Sequence, residues 1–482
     1  MPFTVDWSDR RTIAVIGGTV VGAFVLAVVL AVGTSNVGLG IKLGALAAAP
    51  AVIAAAMRWP YVVPYALYAM LVPFDDVLAL PGGGTVTKLL GLASAFVIAV
   101  HVVRTRRISP PPLALYFFGS LLLWVLIEAL RSPDLSEAMK TTQTLVALLA
   151  LYAVLSVAPI DERSLRTVCA AIVLGGVLAS LYGLEMFRTH PEFVAHDEGR
   201  LTLNMFGRTM DANGFADSLL GPLALALVAT LNSRSFRKRV VSGGALAIIG
   251  TAVVASQSRE ALLAVLAILS VAIWFSRRRI VGFISGAVGT AIVIAAVPTI
   301  GQRFVSGVSS GGAGRTSIWH VDWLAFMQHP IIGWGTGGSI EAYNRNYLAV
   351  YQLINAGWSR PPHNTFLFLA VEFGAIGALL FYCGWFTAFR CFAGVGRGDS
   401  LYDLRVGLTG GFAALLIAGV FVDVTAFKNL WLLLAAAAQF RTVALARRAQ
   451  TPPVVYYYEA AGETSGAGAA ALRPMLRNGN SR

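Results

Sequence analysis

Long apolar runs, broken by short polar or glycine- and proline-bearing segments, dominate the chain. They lie near 12–32, 41–57, 60–74, 86–103, 112–130, 141–158, 166–187, 214–231, 240–256, 260–275, 280–297, 364–389, 406–423 and 429–446. A helix that crosses about 30 Å of hydrocarbon needs roughly 20 apolar residues. These runs are continuous and rich in Leu, Ala and Val, without the alternation of a barrel strand, so they predict transmembrane α-helices. The run at 60–74 is short and carries Pro60, Pro64 and Pro73, which leaves it open to being kinked, re-entrant or no span at all. The first run reads as a span and not a cleavable signal peptide, because another long apolar run follows almost at once. The pattern predicts an all-α polytopic membrane protein, a bundle of about 12–14 transmembrane helices.

Composition supports this class. Of 482 residues, 57% are hydrophobic and 13% charged, about half the charge of an average soluble domain. That excludes a soluble multi-domain enzyme and a disordered chain. Cys169, Cys383 and Cys391 form neither a disulfide framework nor a metal motif. The net charge of +13 matters less than where it falls. With the N-terminus in the cytoplasm, the clusters at Arg104–Arg107, Arg163–Arg166, Arg237–Arg239, Arg277–Arg279, Arg390–Arg405 and Arg447–Arg448 all face inward, as positive-inside orientation requires. The expected organisation is transmembrane helices over 1–297 with a periplasmic segment near 188–212, and a large periplasmic loop at 298–362. C-terminal spans at 363–448 and a cytoplasmic, disordered tail at 449–482 complete it.

Eight arginines fall on the opposite, outer side: Arg188, Arg200, Arg208, Arg259, Arg303, Arg315, Arg345 and Arg360. Arginine kept against the topological bias points to an anion, and its fork matches phosphate in a way that lysine does not.

Four constellations stand out. Ser256-Gln257-Ser258-Arg259-Glu260 is a polar knot between two apolar runs. It reads either as a tight hairpin, with Arg259 snorkelling or paired to Glu260, or as a cation at the mouth of a membrane cavity. Gly311-Gly312-Ala313-Gly314-Arg315-Thr316-Ser317 delivers one arginine to a helix start, where Thr316 or Ser317 helps begin the helix. Trp319, Trp323 and Phe326 then form an apolar stripe. A cation at a helix N-terminus opposes the dipole, and a bound phosphate would suit both. In Pro361-Pro362-His363-Asn364-Thr365, two prolines hold His363 at the head of a span. It is either structural or a general base, since neutral imidazole accepts a hydroxyl proton near pH 7. Arg200, Arg208, Asp211 and Asn213 precede another span, where Asp211 and Asn213 could simply cap the helix. No HExxH, CxxC, Walker A or GxSxG motif occurs.

With these residues the sequence resembles the O-antigen ligase family of bacterial inner-membrane glycosyltransferases, which includes related repeat-unit polymerases. The resemblance rests on the Ser258-Arg259 turn and on GRTSIWHVDWLAFMQHPIIGWGTGG from Gly314. It also rests on PHNTFLFLAVEFGAIGALLFY from Pro362 and GRTMDANGFADSLLGPLAL from Gly207. It covers about 200–390 and implies a fold like GT-C-type glycosyltransferases. It further implies a polyprenyl-diphosphate-linked glycan as donor, a glycan or lipid-linked acceptor, surrounding membrane lipids as partners, and a periplasmic active site in the inner membrane. Transfer would be metal-independent and inverting, with no cofactor and no nucleic acid. By this resemblance Arg315 and Arg259 bind the diphosphate and His363 serves the acceptor. Arg208, Arg200 and Asn364 contribute to substrate binding. A polymerase would use the same chemistry on a second lipid-linked glycan. A flippase would want its charges along the middle of the spans, whereas here they sit at one rim.

Overall fold

A computed structural model describes residues 62–78, 85–190, 199–205, 208–277, 314–351 and 362–450, with scattered positions at 50–60 and 279–302. The run at 12–32, most of 41–57 and 280–297, Gly311–Ala313, Arg303, Arg360, Pro361 and the tail beyond Gln450 lie outside these residues.

The protein is an all-α polytopic membrane protein. Fourteen α-helices occur among the described residues: α1 Val63–Leu71, α2 Val86–Thr105, α3 Leu113–Ala129, α4 Leu135–Val157, α5 Glu162–Thr189, α6 Ala212–Ser218, α7 Leu220–Asn232, α8 Phe236–Ala255, α9 Arg259–Phe275, α10 Arg315–Gln328, α11 Ser339–Tyr351, α12 Thr365–Phe389, α13 Tyr402–Ala418 and α14 Lys428–Gln450. Six are long and apolar enough to cross a membrane, and α6 with α7, bent by 40°, makes a seventh if taken as one span. Each apolar run within the described residues is helical, but several boundaries move. α4 starts at Leu135 and not near 141, because Asp134 accepts hydrogen bonds from the Ser136 and Glu137 N–H groups. α13 ends at Ala418, which puts Asp423 in a loop and not in a span. With its following 3-10 turn, α1 reaches only to Phe74, about 18 Å of helix, too short to cross alone. It is buried instead, with Tyr65 and Tyr68 in the core.

The core sits on α14. Its most apolar window is 78% buried, against 17% for α8 and 22% for α2, so α14 is central and the other two face outward. Trp431 anchors it, with Phe118 of α3 at 5.2 Å and Tyr152 of α4 at 6.0 Å between ring centroids. Phe381 of α12 joins Phe118 at 5.8 Å. Such offset and edge contacts add to the area buried.

α12 is broken. Gly374 has φ +63, and a Cβ there would lie 2.2 Å from the Ile331 carbonyl oxygen. The break frees backbone groups, and the glycine-rich segment after α10 satisfies them. Trp334 N–H donates to Val371 O at 2.8 Å, and Gly335 N–H donates to Glu372 O at 3.0 Å. Ala375 N–H donates to Pro330 O at 2.9 Å, and the Trp124 indole of α3 reaches Phe373 O at 3.0 Å. The Glu372 carboxylate accepts from Gly337 N–H at 3.0 Å and Ser339 N–H at 3.4 Å. This loop is therefore a plug that fixes the α10–α11 pair to the bundle. Gly333, at φ +76 and against the Glu372 carbonyl, is required by the same close approach.

Chain direction sorts the charged residues into two ends. Glu162, Arg166, Asp399, Asp403, Arg405 and Arg447 gather at one. The starts of α6, α9, α10, α12 and α14 gather at the other.

Candidate active site

The second end is built around the turn between α8 and α9. α8 stops at Ala255, Gln257 takes a left-handed φ of +51, and the Ser258 hydroxyl caps α9 by accepting from Ala261 N–H. The incoming chain from α5 packs on this turn. Leu201 N–H donates to Ala255 O at 3.0 Å, and the Gln257 side chain donates to Gly199 O at 3.1 Å. A two-stranded antiparallel ribbon follows, β1 Leu203–Met205 and β2 Arg208–Met210, an element that the sequence pattern did not predict. Arg200 lies across the turn and donates to Ser256 O at 3.0 Å and to the Asn213 side-chain oxygen at 2.5 Å.

Arg315 is the first residue of α10. The residue before it, Gly314, has φ +81 and no side chain to cap the helix, so neither Thr316 nor Ser317 is the cap. Arg315 points to α9, where its Nη1 meets Glu260 Oε2 at 2.8 Å. Glu260 is 2% exposed and Arg315 23%. Its guanidinium lies over the Phe421 ring at 5.7 Å, and Trp319, one turn on, packs the same ring at 6.2 Å. Glu260 therefore pairs with Arg315, and Arg259 opens α9 beside it.

Phe421 belongs to the loop between α13 and α14, and the segment that carries His363 is tied to the same loop through Thr365. Thr365 N–H donates to Gly419 O at 2.7 Å, and its hydroxyl donates to Val422 O and accepts from Val424 N–H, both at 2.9 Å. His363, two residues earlier, has φ +46, a conformation that costs a non-glycine residue energy and clusters at functional sites. Asn364 caps α12, its side-chain oxygen accepting from Phe366 and Leu367 N–H at 2.8 and 3.0 Å. That use sets the position of His363.

Arg315, Arg259, Arg200 and His363 thus share one end of the bundle. Arg208 stands exposed on β2, and among the described residues no hydrogen bond or ion pair ties it to Arg315. Asp211 does cap α6, accepting from Asn213 and Gly214 N–H.

Several acids and one lysine join the site that sequence reasoning did not place there. Asp217 of α6 is fully buried, among the described residues neither carboxyl oxygen has a hydrogen-bond partner, and Glu260, Asp211 and Arg315 act on it electrostatically. The second oxygen of Glu260 is also unpaired. Asp423 accepts from the Thr425 N–H and hydroxyl at 2.9 Å each, and burial pushes its carboxyl up to about 6. Lys428 at the head of α14 donates to the Thr85 and Thr87 hydroxyls at 2.9 and 3.1 Å and pairs with Asp75. Next to it, burial and then the neighbouring Asp75 raise the carboxyl of Asp76. The sequence signal that Asp217 and Asp423 carry is their place within or at the end of apolar runs, where ionisable groups mark function by default. Among the described residues no three His, Cys, Asp or Glu side chains are grouped to hold a metal ion.

The family model described as O-antigen ligase matches residues 244–382. That stretch contains Arg259, Glu260, Arg315, His363 and Glu372, and over it the family resemblance of the motifs holds. Arg200, Arg208, Asp217 and Asp423 lie outside it. No curated protein matches the chain.

Proposed function

We propose that the protein is an O-antigen ligase-like glycosyltransferase that moves a glycan from a polyprenyl-diphosphate carrier to a sugar hydroxyl of an acceptor, on the periplasmic face of the inner membrane. What supports this reading is that Arg315, over the Phe421 ring, and Thr365, two residues after His363, both meet one loop, 419–424, at the end opposite the exposed basic clusters. Arg315 is oriented by a buried carboxylate and an aromatic ring, so its remaining guanidinium N–H groups are preorganised for two oxygens of a departing diphosphate. Arg259 and Arg200 add positive charge at the same rim.

In the step, the bond from the sugar's anomeric carbon to the diphosphate oxygen breaks, and the electron pair leaves on the diphosphate. The acceptor oxygen attacks that carbon from the opposite face, which inverts its configuration, and its proton passes to the His363 imidazole. Arginines, and not a metal, neutralise the leaving group.

The test is a transfer assay on purified protein with a lipid-linked glycan donor extracted from cells. Release of free polyprenyl diphosphate together with a glycan on the acceptor is expected. Hydrolysis alone, or no turnover by wild type with any such donor, would overturn the proposal. Surface glycan from a deletion strain then identifies the acceptor. Long chains stranded on the carrier indicate ligation, and unpolymerised single repeats indicate polymerisation.

A further inference from the structure

A cavity of about 320 Å³ opens beside this site, between α3, α4, α12 and the start of α11. It runs down α4 from Glu137 to Leu148, about 16 Å of helix. Its lining is polar at Thr141 and Thr144 of α4 and at Glu372 and Asp423. It is apolar at Leu145, Leu148, Phe368 and Phe381. It belongs to the same end of the molecule as His363. Phe368 N–H donates to Asn364 O in the first turn of α12, and Asp423 lies two residues from Phe421 in the loop that borders Arg315.

The chemistry of the polar lining selects the ligand. Glu137, Glu372 and Asp423 outnumber Lys140, which is already paired with Glu137 at 3.0 Å. A site with that balance repels a diphosphate. Glu372 is held by the Gly337 and Ser339 N–H groups, and Asp423 by Thr425. Both carboxylates are therefore fixed in orientation while keeping lone pairs for further donors. Fixed carboxylates and threonine hydroxyls suit the hydroxyls of a sugar ring, and phenyl faces suit its C–H side. The volume falls at the small end of ligand pockets, the scale of one or two rings and not of a long chain.

We propose that this cavity is the acceptor subsite: it receives an uncharged sugar of the acceptor and presents its hydroxyl towards His363, while the donor diphosphate occupies the Arg315 side of the loop. The inference rests on the glycosyl-transfer reading above. Its consequence is a division of labour across the 419–426 loop, with the cation-bearing side for the leaving group and the carboxylate-bearing side for the nucleophile.

The experiment uses the purified full chain, a lipid-linked glycan donor, and total envelope glycolipid from the same cells as acceptor. Thr144→Trp and, separately, Thr141→Trp put bulk into the cavity from its lining, and Thr144→Ser serves as the conservative control. Both tryptophan variants should raise the amount of acceptor needed for half-maximal rate at least tenfold. They should leave half-saturation by donor, and binding of undecaprenyl diphosphate alone, within about twofold of wild type. Thr144→Ser should behave as wild type. A shift in donor half-saturation instead would place the donor's sugar here and overturn the assignment. Unchanged acceptor dependence in both tryptophan variants would mean the cavity holds only lipid, and would overturn it while leaving the transfer reading intact. Loss of undecaprenyl diphosphate binding in both would show a collapsed site shared with the donor, against the division proposed. Absence of transfer by wild type would overturn the underlying reading and this inference with it.

Discussion

At one end of the bundle Arg166 holds Glu162 and Asp403, and Arg447 holds Asp399, with all five side chains 27–41% exposed. At the other end Arg315 holds a Glu260 that is 2% exposed, and the buried Asp217, on which both act electrostatically, has no hydrogen-bond partner for either oxygen among the described residues. The first arrangement is a solvated clasp of helix ends, and such pairs are worth about 0–1 kcal/mol each. The second costs several kcal/mol of desolvation per ion before any attraction is counted. A fold gains little by keeping that second set for stability alone. The contrast separates charges that hold helices together from charges kept for chemistry.

The comparison breaks most sharply at His363. His363→Ala should lower transfer by about 10²–10⁴-fold, the usual range for a general base, while donor binding persists. Rates and undecaprenyl diphosphate binding measured on the same preparation check this. Donor binding abolished along with transfer would put the histidine in the diphosphate site. Arg315→Lys comes next, with an expected loss of about 10²–10³-fold, because a point charge does not replace a fork aimed at two phosphate oxygens. Near-normal transfer by that variant at wild-type protein levels would remove the diphosphate clamp.

Stability effects follow. Gly374→Ala should destabilise the protein by about 2 kcal/mol or more, since the added Cβ meets backbone at 2.2 Å in a left-handed conformation. The α10–α11 pair should loosen first, seen as early amide exchange over 315–351; exchange no faster than wild type there would detach the plug from the site.

Asp322 on α10 is buried with no hydrogen-bond partner for either oxygen among the described residues, and burial pushes its carboxyl up to about 8. The folded state then keeps a proton that the unfolded chain releases near pH 4. Stability is therefore full below that value and declines as pH rises to about 8. Thermal melts from pH 4 to 9 should show the decline, and Asp322→Asn should flatten it; equal slopes for both proteins would exclude the residue. Smallest of all, Arg447→Ala should change stability by less than about 1 kcal/mol and leave transfer untouched.

Much of this was legible in the sequence, for physical reasons that differ by residue. The spans follow from apolar runs, and caps such as Asp134, Asp161 and Ser258 are local signals. Arg315 stood out because a glycine run delivers it against the charge bias. Its partner did not, because Glu260 is 55 residues away and nothing near either residue encodes the pairing. The run Gly333–Gly338 read as punctuation, yet it is a plug whose meaning depends on a break at Gly374, a residue that looks like any other glycine in an apolar helix. Asn364 shared a motif with His363 and turned out to spend its side-chain oxygen capping α12. Asp217 and Glu372 were hidden inside runs that hydropathy rightly assigned to the membrane.

Binding of undecaprenyl diphosphate to the purified wild type, to Arg315→Lys and to Arg447→Lys tests the contrast between the two ends most directly. The account predicts at least a tenfold weaker affinity for Arg315→Lys and an affinity unchanged from wild type for Arg447→Lys. Equal affinities for wild type and Arg315→Lys would contradict it.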